Sequence, residues 1–149
     1  MILSSLIIFV LILIDQYSKY FVEQNIQNPV EFIPGIFDIS YSQNTGIAFS
    51  MLKDFPMLLT IINTLVIVFF CFFYIRRHSA MLLENLPWLL IIAGGVSNLI
   101  DRYIKGYVVD FINPVFVDFA IFNLADVFLN IGVFILILEL FFNDRKNQN

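Results

Sequence analysis

The sequence predicts an α-helical membrane protein: four transmembrane helices with a small extracytoplasmic β-sheet or hairpin segment. Three observations predict it. Of the 149 residues 60% are hydrophobic and only 13% charged, with a mean hydropathy of +0.87, more apolar surface than a soluble domain of this length can keep from water. Apolar runs long enough to cross hydrocarbon recur along the chain. Basic residues gather at Arg76–Arg77 and Arg145–Lys146, after two of those runs, as they do on the cytoplasmic side of a membrane. The length fits one membrane-embedded domain over 1–149. A net charge of −4, thinly spread and without a basic patch, argues against a nucleic-acid partner. The single Cys71, within FFCFF, excludes an internal disulfide and reads as an inert buried thiol.

The first span is expected at about 2–21. Its uncharged start, ILSSLIIFVLILI, has the length of a signal-peptide core, but no positive residue precedes it and no small-x-small pattern follows. It is therefore read as a retained helix. Asp15 and Lys19 stand four apart, acid first, the favourable helical ion-pair spacing; a self-satisfied pair and a direct role weigh about equally. Residues 22–55 form the first external segment, marked by Pro29, Pro34 and Gly35. After Gly35, IFDISYS alternates (Phe37, Ile39 and Tyr41 against Asp38, Ser40 and Ser42), which predicts a strand. Gly46 marks a turn or a close backbone approach.

The second span, 56–75, carries no charge and is long enough for about 30 Å of helix. Arg76, Arg77 and His78 close it, and His78 reads as part of that basic cluster. The third span is expected at about 86–104, with Pro87 at the helix start and Trp88 at the interface. A second external segment, 105–118, leads to the fourth span at about 119–142. Alternation from the two basic anchors puts both termini in the cytoplasm.

Charged and amide groups then stand out against these apolar helices. Gly95, Asn98 and Arg102 share one face of the third span, and Asn123, Asp126 and Asn130 repeat the spacing on the fourth. Gly94 and Gly95 allow close helix approach. Such asparagines often serve as interhelical hydrogen-bond glue, the favoured reading for Asn130 and an even one for Asn123. Ionisable residues at bilayer depth are costly and point to function. Asp126 is expected about 8 Å inside the fourth span, and Asp110 just past the outer end of the third. Two carboxylates brought together in low dielectric cannot both ionise, which supplies a general base and a general acid. Spacing alone leaves open whether Asp110 and Asp126 meet, and a proton relay fits the residues as well. Asp101, beside Arg102, is expected to pair with a cation or a backbone amide, and Asp118 to be a solvated loop charge.

Four blocks in order, DQYSK at 15–19, NTGIAFS at 44–50, GGVSNLIDRYIKGYVVDFI at 94–112 and FNLAD at 122–126, resemble the lipoprotein signal peptidases (type II signal peptidases) of bacteria. The resemblance implies an intramembrane aspartyl endopeptidase. Such an enzyme cleaves the signal peptide of a prolipoprotein just before a Cys bearing a diacylglyceryl group. By motif match Asp110 and Asp126 are the catalytic pair, and Asn44, Gly46, Asn98, Arg102 and Asn123 hold the substrate. Asp15, Lys19, Gly94 and Gly95 give structural support, and 22–55 forms a small external sheet and adjoining helix. No metal or cofactor is implied. The partners are the lipidated precursor and membrane lipids; the place is the bacterial cytoplasmic membrane, as a monomer with its site toward the outer leaflet. Val127 departs from the family, where a small or polar residue often follows the second aspartate. Two other classes compete. A proton-coupled carrier would be expected to show internal repeats, which this chain lacks. A lipid-phosphate enzyme would need more basic residues than Arg102 and Lys105 to hold phosphate, and a metal that a chelator would remove.

Overall fold

The computed structural model describes residues 2–46, 54–77 and 81–146. Its elements run α1 (Ile2–Asn25), β1 (Val30–Ile33), β2 (Phe37–Asn44), α2 (Pro56–Arg77), α3 (Leu82–Lys105), β3 (Val108–Pro114) and α4 (Leu124–Lys146). All four helices are long and apolar enough to cross a membrane, and the chain is a multi-pass membrane protein.

The helices are not equivalent. Half of the apolar window of α3 is buried, against 11–17% in the others, because α3 packs on α1, α2 and α4 together. On α1 the buried residues are Ser4, Asp15, Lys19 and Val22, and on α2 only Leu59 and Ile67. Most of their Leu, Ile and Phe side chains therefore lie on the outer surface, which suits helices whose solvent is hydrocarbon. Small residues bring α3 against its neighbours. A Cβ on Gly94 would meet the Ala125 carbonyl oxygen, and one on Gly95 the Ile67 side chain; one on Gly132 of α4 would lie 2.7 Å from the Pro87 carbonyl oxygen.

Helix α3 starts at Leu82, four residues earlier than the sequence suggested, so Pro87 sits inside the helix rather than at its beginning. Glu84 and Asn85, read as outside the span, occupy its first turn. Trp88 packs edge-on against Phe70 of α2, with the Arg77 guanidinium 5.8 Å from its ring centroid. At its other end α3 stops at Gly106, whose φ of 81° and N–H bond to the Arg102 carbonyl form a left-handed cap. Cys71 on α2 is half-buried, not buried as expected. His78 lies outside the described residues.

The three strands form one antiparallel sheet in the order β1-β2-β3. Pro34 and Gly35 turn the chain from β1 to β2, Gly35 taking φ 70°, and the Ile36 N–H closes the turn on the Ile33 carbonyl. Proline followed by glycine at positive φ suits a type II turn. In β2 the one buried residue is Ser40, not the apolar set of the alternation; Phe37 packs edge-on against Phe116 instead. The 105–118 segment, expected as a plain external connection, holds β3, which is buried along most of its length. A strand covered on both faces shows no alternation, so its pattern gave no signal. The helix expected beside the sheet is not found among the described residues of 22–55, and 47–53 lie outside them. Glu23 anchors the sheet to the helix ends, accepting from Lys105 Nζ at 2.6 Å and from the Tyr41 and Tyr107 hydroxyls at 3.2 Å each.

Helix α4 begins at Leu124, five residues later than expected. Residues before it pair with β3: Phe122 bridges Ile112, its carbonyl accepting from the N–H groups of Phe111 and Ile112. Asp126 therefore stands in the first turn of α4, and Asn123 just ahead of the helix rather than on its face.

Candidate active site

Asp110 reaches the site from β3 and Asp126 from the first turn of α4. Opposite Asp110, strand β2 spends three residues (Ile39 to Ser42) where β3 spends two (Ile112 to Asp110). Such a bulge re-aims side chains and is common beside active sites. Asp126 belongs to a reciprocal cap. The Asn123 Oδ1 accepts the Asp126 N–H at 3.0 Å, while Asp126 Oδ2 accepts the Asn123 N–H at 3.2 Å. Two orphan donors of the helix end are satisfied at once, and the Asp126 carboxylate is fixed at the helix N-terminus.

Three asparagines surround the carboxylates, each locked in one orientation. An amide side chain has one accepting and one donating end, so an obligate donor on the oxygen fixes where the NH2 points. For Asn44 that donor is the Gly46 N–H at 2.9 Å, and its Nδ2 donates to Asp110 Oδ2 at 2.8 Å. For Asn98 it is Lys19 Nζ at 2.8 Å, and its Nδ2 donates to Asp126 Oδ1 at 2.9 Å. For Asn123 it is the Asp126 N–H, and its Nδ2 donates to Asp110 Oδ1 at 2.6 Å. Asn123 thus touches both aspartates and is itself fully buried.

Asp110 is 3% exposed. Burial and then the neighbouring Asp126 charge push its carboxyl up to about 6, against the amide N–H bonds of Asn44 and Asn123 and the more distant Lys19 charge. A carboxyl in that range can hold or release a proton near neutrality.

Both carboxylates line one cavity of about 370 Å³. Asn44, Gly46, Asn98 and Arg102 line it as well, with apolar walls from Ile67, Leu129 and the Phe119–Phe122 segment. Arg102 Nη2 donates to the Gly46 carbonyl at 2.6 Å, whereas its buried Nε and Nη1 have no partner among the described residues. Of the 44–50 block, 47–50 lie outside the described residues. Asn130 also lines the cavity. Asp118 is exposed.

Behind the cavity lies a buried cluster. Lys19 Nζ is 2.7 Å from Asp15 Oδ2 and 3.0 Å from Asp101 Oδ2, with all three side chains at most 1% exposed. Asp101 thus pairs with a cation and, at 3.3 Å, accepts the backbone N–H of Val109. Three contributors escaped the sequence reading. Asn63 of α2 lines the cavity, while Gln16 and Ser97 bond to one another and to the two buried aspartates. The available signal was a polar side chain in an apolar span, which these three share with Asn98. Among the described residues no group of three His, Cys, Asp or Glu is arranged to hold a metal ion.

The family model for signal peptidase (SPase) II matches residues 7–142. The chain belongs to the signal peptidase II family. Among its relatives, the lipoprotein signal peptidase of Streptococcus thermophilus (strain CNRZ 1066) is 43% identical over 144 residues, covering 95% of this chain and 94% of the relative. That of Streptococcus pyogenes serotype M5 (strain Manfredo) is 42% identical over 131 residues, covering 86% of each. A bacterial membrane enzyme solved by the in meso method at 2.3 Å resolution superposes with a TM-score of 0.88 at 33% identity, over 98% of this chain and 91% of the other. A second, at 1.9 Å, gives 0.82 at the same identity over 92% and 91%. Membership of the signal peptidase II family makes this multi-pass protein a peptidase, and hence a hydrolase.

Proposed function

We propose that this signal peptidase II homologue is an intramembrane aspartyl endopeptidase. It removes the signal peptide from bacterial prolipoproteins, cutting just before the diacylglyceryl-modified Cys. The relatives named lipoprotein signal peptidase support the substrate class. The observation that carries the mechanism is Asn123, which donates to Asp110 and exchanges two bonds with Asp126, the two carboxylates lining one cavity.

In this reading a water sits between the carboxylates. One carboxylate takes its proton as the oxygen attacks the scissile carbonyl; the other, already protonated, donates to the developing oxyanion. The proton gained by the first then passes to the leaving amine as the C–N bond breaks, a hydroxyl of the tetrahedral intermediate returns its proton to the second carboxylate as the C=O re-forms, and the pair again shares one proton. No metal or cofactor enters these steps. The Nε and Nη1 of Arg102, without a partner among the described residues, supply donors for substrate backbone carbonyls, and the apolar cavity wall suits a lipidated segment. The enzyme works as a monomer in the cytoplasmic membrane, both termini inside, with the site toward the outer leaflet.

The test is incubation of the membrane-inserted protein with a diacylglyceryl-modified and an unmodified precursor, followed by mass spectrometry of the new terminus. Only the modified precursor should yield a lipidated N-terminal Cys. Asp110→Asn and Asp126→Asn should each abolish cleavage while inserting normally; substantial turnover by either refutes the catalytic pair.

A further inference from the structure

One buried ammonium has no task in the steps just given. A lysine has three N–H donors and no acceptor, and all three of Lys19's are met: Asp15 Oδ2 at 2.7 Å, Asp101 Oδ2 at 3.0 Å and Asn98 Oδ1 at 2.8 Å. Removing such charges from solvent is costly, and well-packed apolar residues in place of a buried ionic cluster are often equally or more stable. Stability alone is thus a weak reason for the cluster.

The remaining contacts of the two carboxylates give a better one. Asp15 Oδ1 accepts the N–H of Ala125 at 2.8 Å. Ala125 immediately precedes Asp126, and its N–H is an orphan donor of the α4 N-terminus. Asp101 Oδ2 accepts the N–H of Val109 at 3.3 Å, and Val109 immediately precedes Asp110. The third partner, Asn98, donates to Asp126 directly. Each carboxylate accepts one further bond, Asp15 Oδ2 from Ser97 Oγ at 2.7 Å and Asp101 Oδ1 from Gln16 Nε2 at 3.3 Å.

We propose that Lys19 is a positioning residue: its ammonium joins two backbone clamps, one on the residue before each aspartate of the pair, and so sets the spacing between them. The inference rests on Asp110 and Asp126 being the catalytic pair. It assigns to Asp101 the same kind of task that Asp15 performs. Helix α1, whose other residues mostly face outward, would then enter the site through this one contact group.

Lys19→Met keeps the length and apolar stem but removes the ammonium. A displacement of about 1 Å at reacting groups can cost on the order of 100-fold in rate. Turnover by the folded fraction of Lys19→Met, counted by thermal unfolding in the same preparation, should therefore fall by about that factor in kcat, with KM within about threefold. Should Lys19→Met fail to fold, the Asp101 pair of variants carries the test. Asp101→Asn keeps an oxygen for the Val109 N–H and should stay within about tenfold of the parent kcat, whereas Asp101→Ala loses the clamp and should fall by about 100-fold. Folded Lys19→Met with parental kcat, or Asp101→Asn as impaired as Asp101→Ala, overturns the proposal. Asp126→Asn in the same assay separates the two levels. If it is inactive while folded Lys19→Met is fully active, positioning alone fails; if it is active, the catalytic pair fails first.

Discussion

At the scale of single residues, the site turns a weakness of asparagine into a device. An amide could present either end to a carboxylate, and the wrong end would set oxygen against oxygen. Here the Gly46 N–H, the Lys19 ammonium and the Asp126 N–H each occupy one amide oxygen, leaving three NH2 groups for the two acids. The bonds from Asn44 and Asn123 favour charge on Asp110; burial and Asp126 oppose them and win, leaving its carboxyl at about 6. The sign of the consequence follows. The folded carboxyl binds its proton more tightly than an unfolded one at 3.8, so stability is lost as pH rises from about 4 to about 6. The Tm of Asp110→Asn, measured relative to the parent, should climb across that window and level off above it. Parallel Tm curves from pH 4 to 7 would contradict the upward shift. In the proposed mechanism that proton is also the one catalysis uses, so turnover should decline on the alkaline side.

At the scale of elements, the separation of the acids is decided by how closely α4 lies on α3. Gly94 faces the Ala125 carbonyl, backbone that is fixed by the Asp15 clamp, whereas Gly95 faces the tip of the Ile67 side chain. A methyl group at Gly94 must push the start of α4 away and Asp126 with it; one at Gly95 needs only a rotamer change in α2. Gly94→Ala should therefore cost about 1–3 kcal/mol, the usual range for overpacking, together with most of the activity. Gly95→Ala should cost clearly less in both, and equal losses in unfolding and cleavage assays would refute the distinction. The same elements mark what was legible beforehand. Helices announce themselves through uninterrupted apolar length, and Asn98, Asp110, Asn123 and Asp126 through polarity against that background. Strand β3 did not, since burial on both faces erases alternation. Nor did the start of α4: apolar Phe119–Phe122 continues the hydrophobic run but is tied to β3 through Phe122, and only the Asn123–Asp126 cap ends that extended stretch. Of the partners of Lys19, Asp15 was legible from its spacing on α1, whereas Asp101 and Asn98 come from α3 and are invisible to any reading of α1 alone.

At the scale of the whole molecule, the proposed orientation across the membrane follows from where the polar features cluster. The sheet, the cavity, the Glu23–Lys105 pair at 2.6 Å and the first turn of α4 all lie at one end of the bundle. Arg76 and Arg77 end α2 at the other, where Arg77 Nη1 is 3.4 Å from Glu139 of α4. Four crossings return the chain to its starting side, so one basic end facing the cytoplasm fixes both termini there. Lys19 and Lys105 do not contradict this, because each is neutralised by carboxylates within hydrogen-bonding distance. With Cys71 replaced by Ser, Asp118→Cys should react with a membrane-impermeant maleimide on intact cells, and Gln148→Cys only after permeabilisation. The reverse pattern would turn the site toward the cytoplasm and refute the proposed orientation.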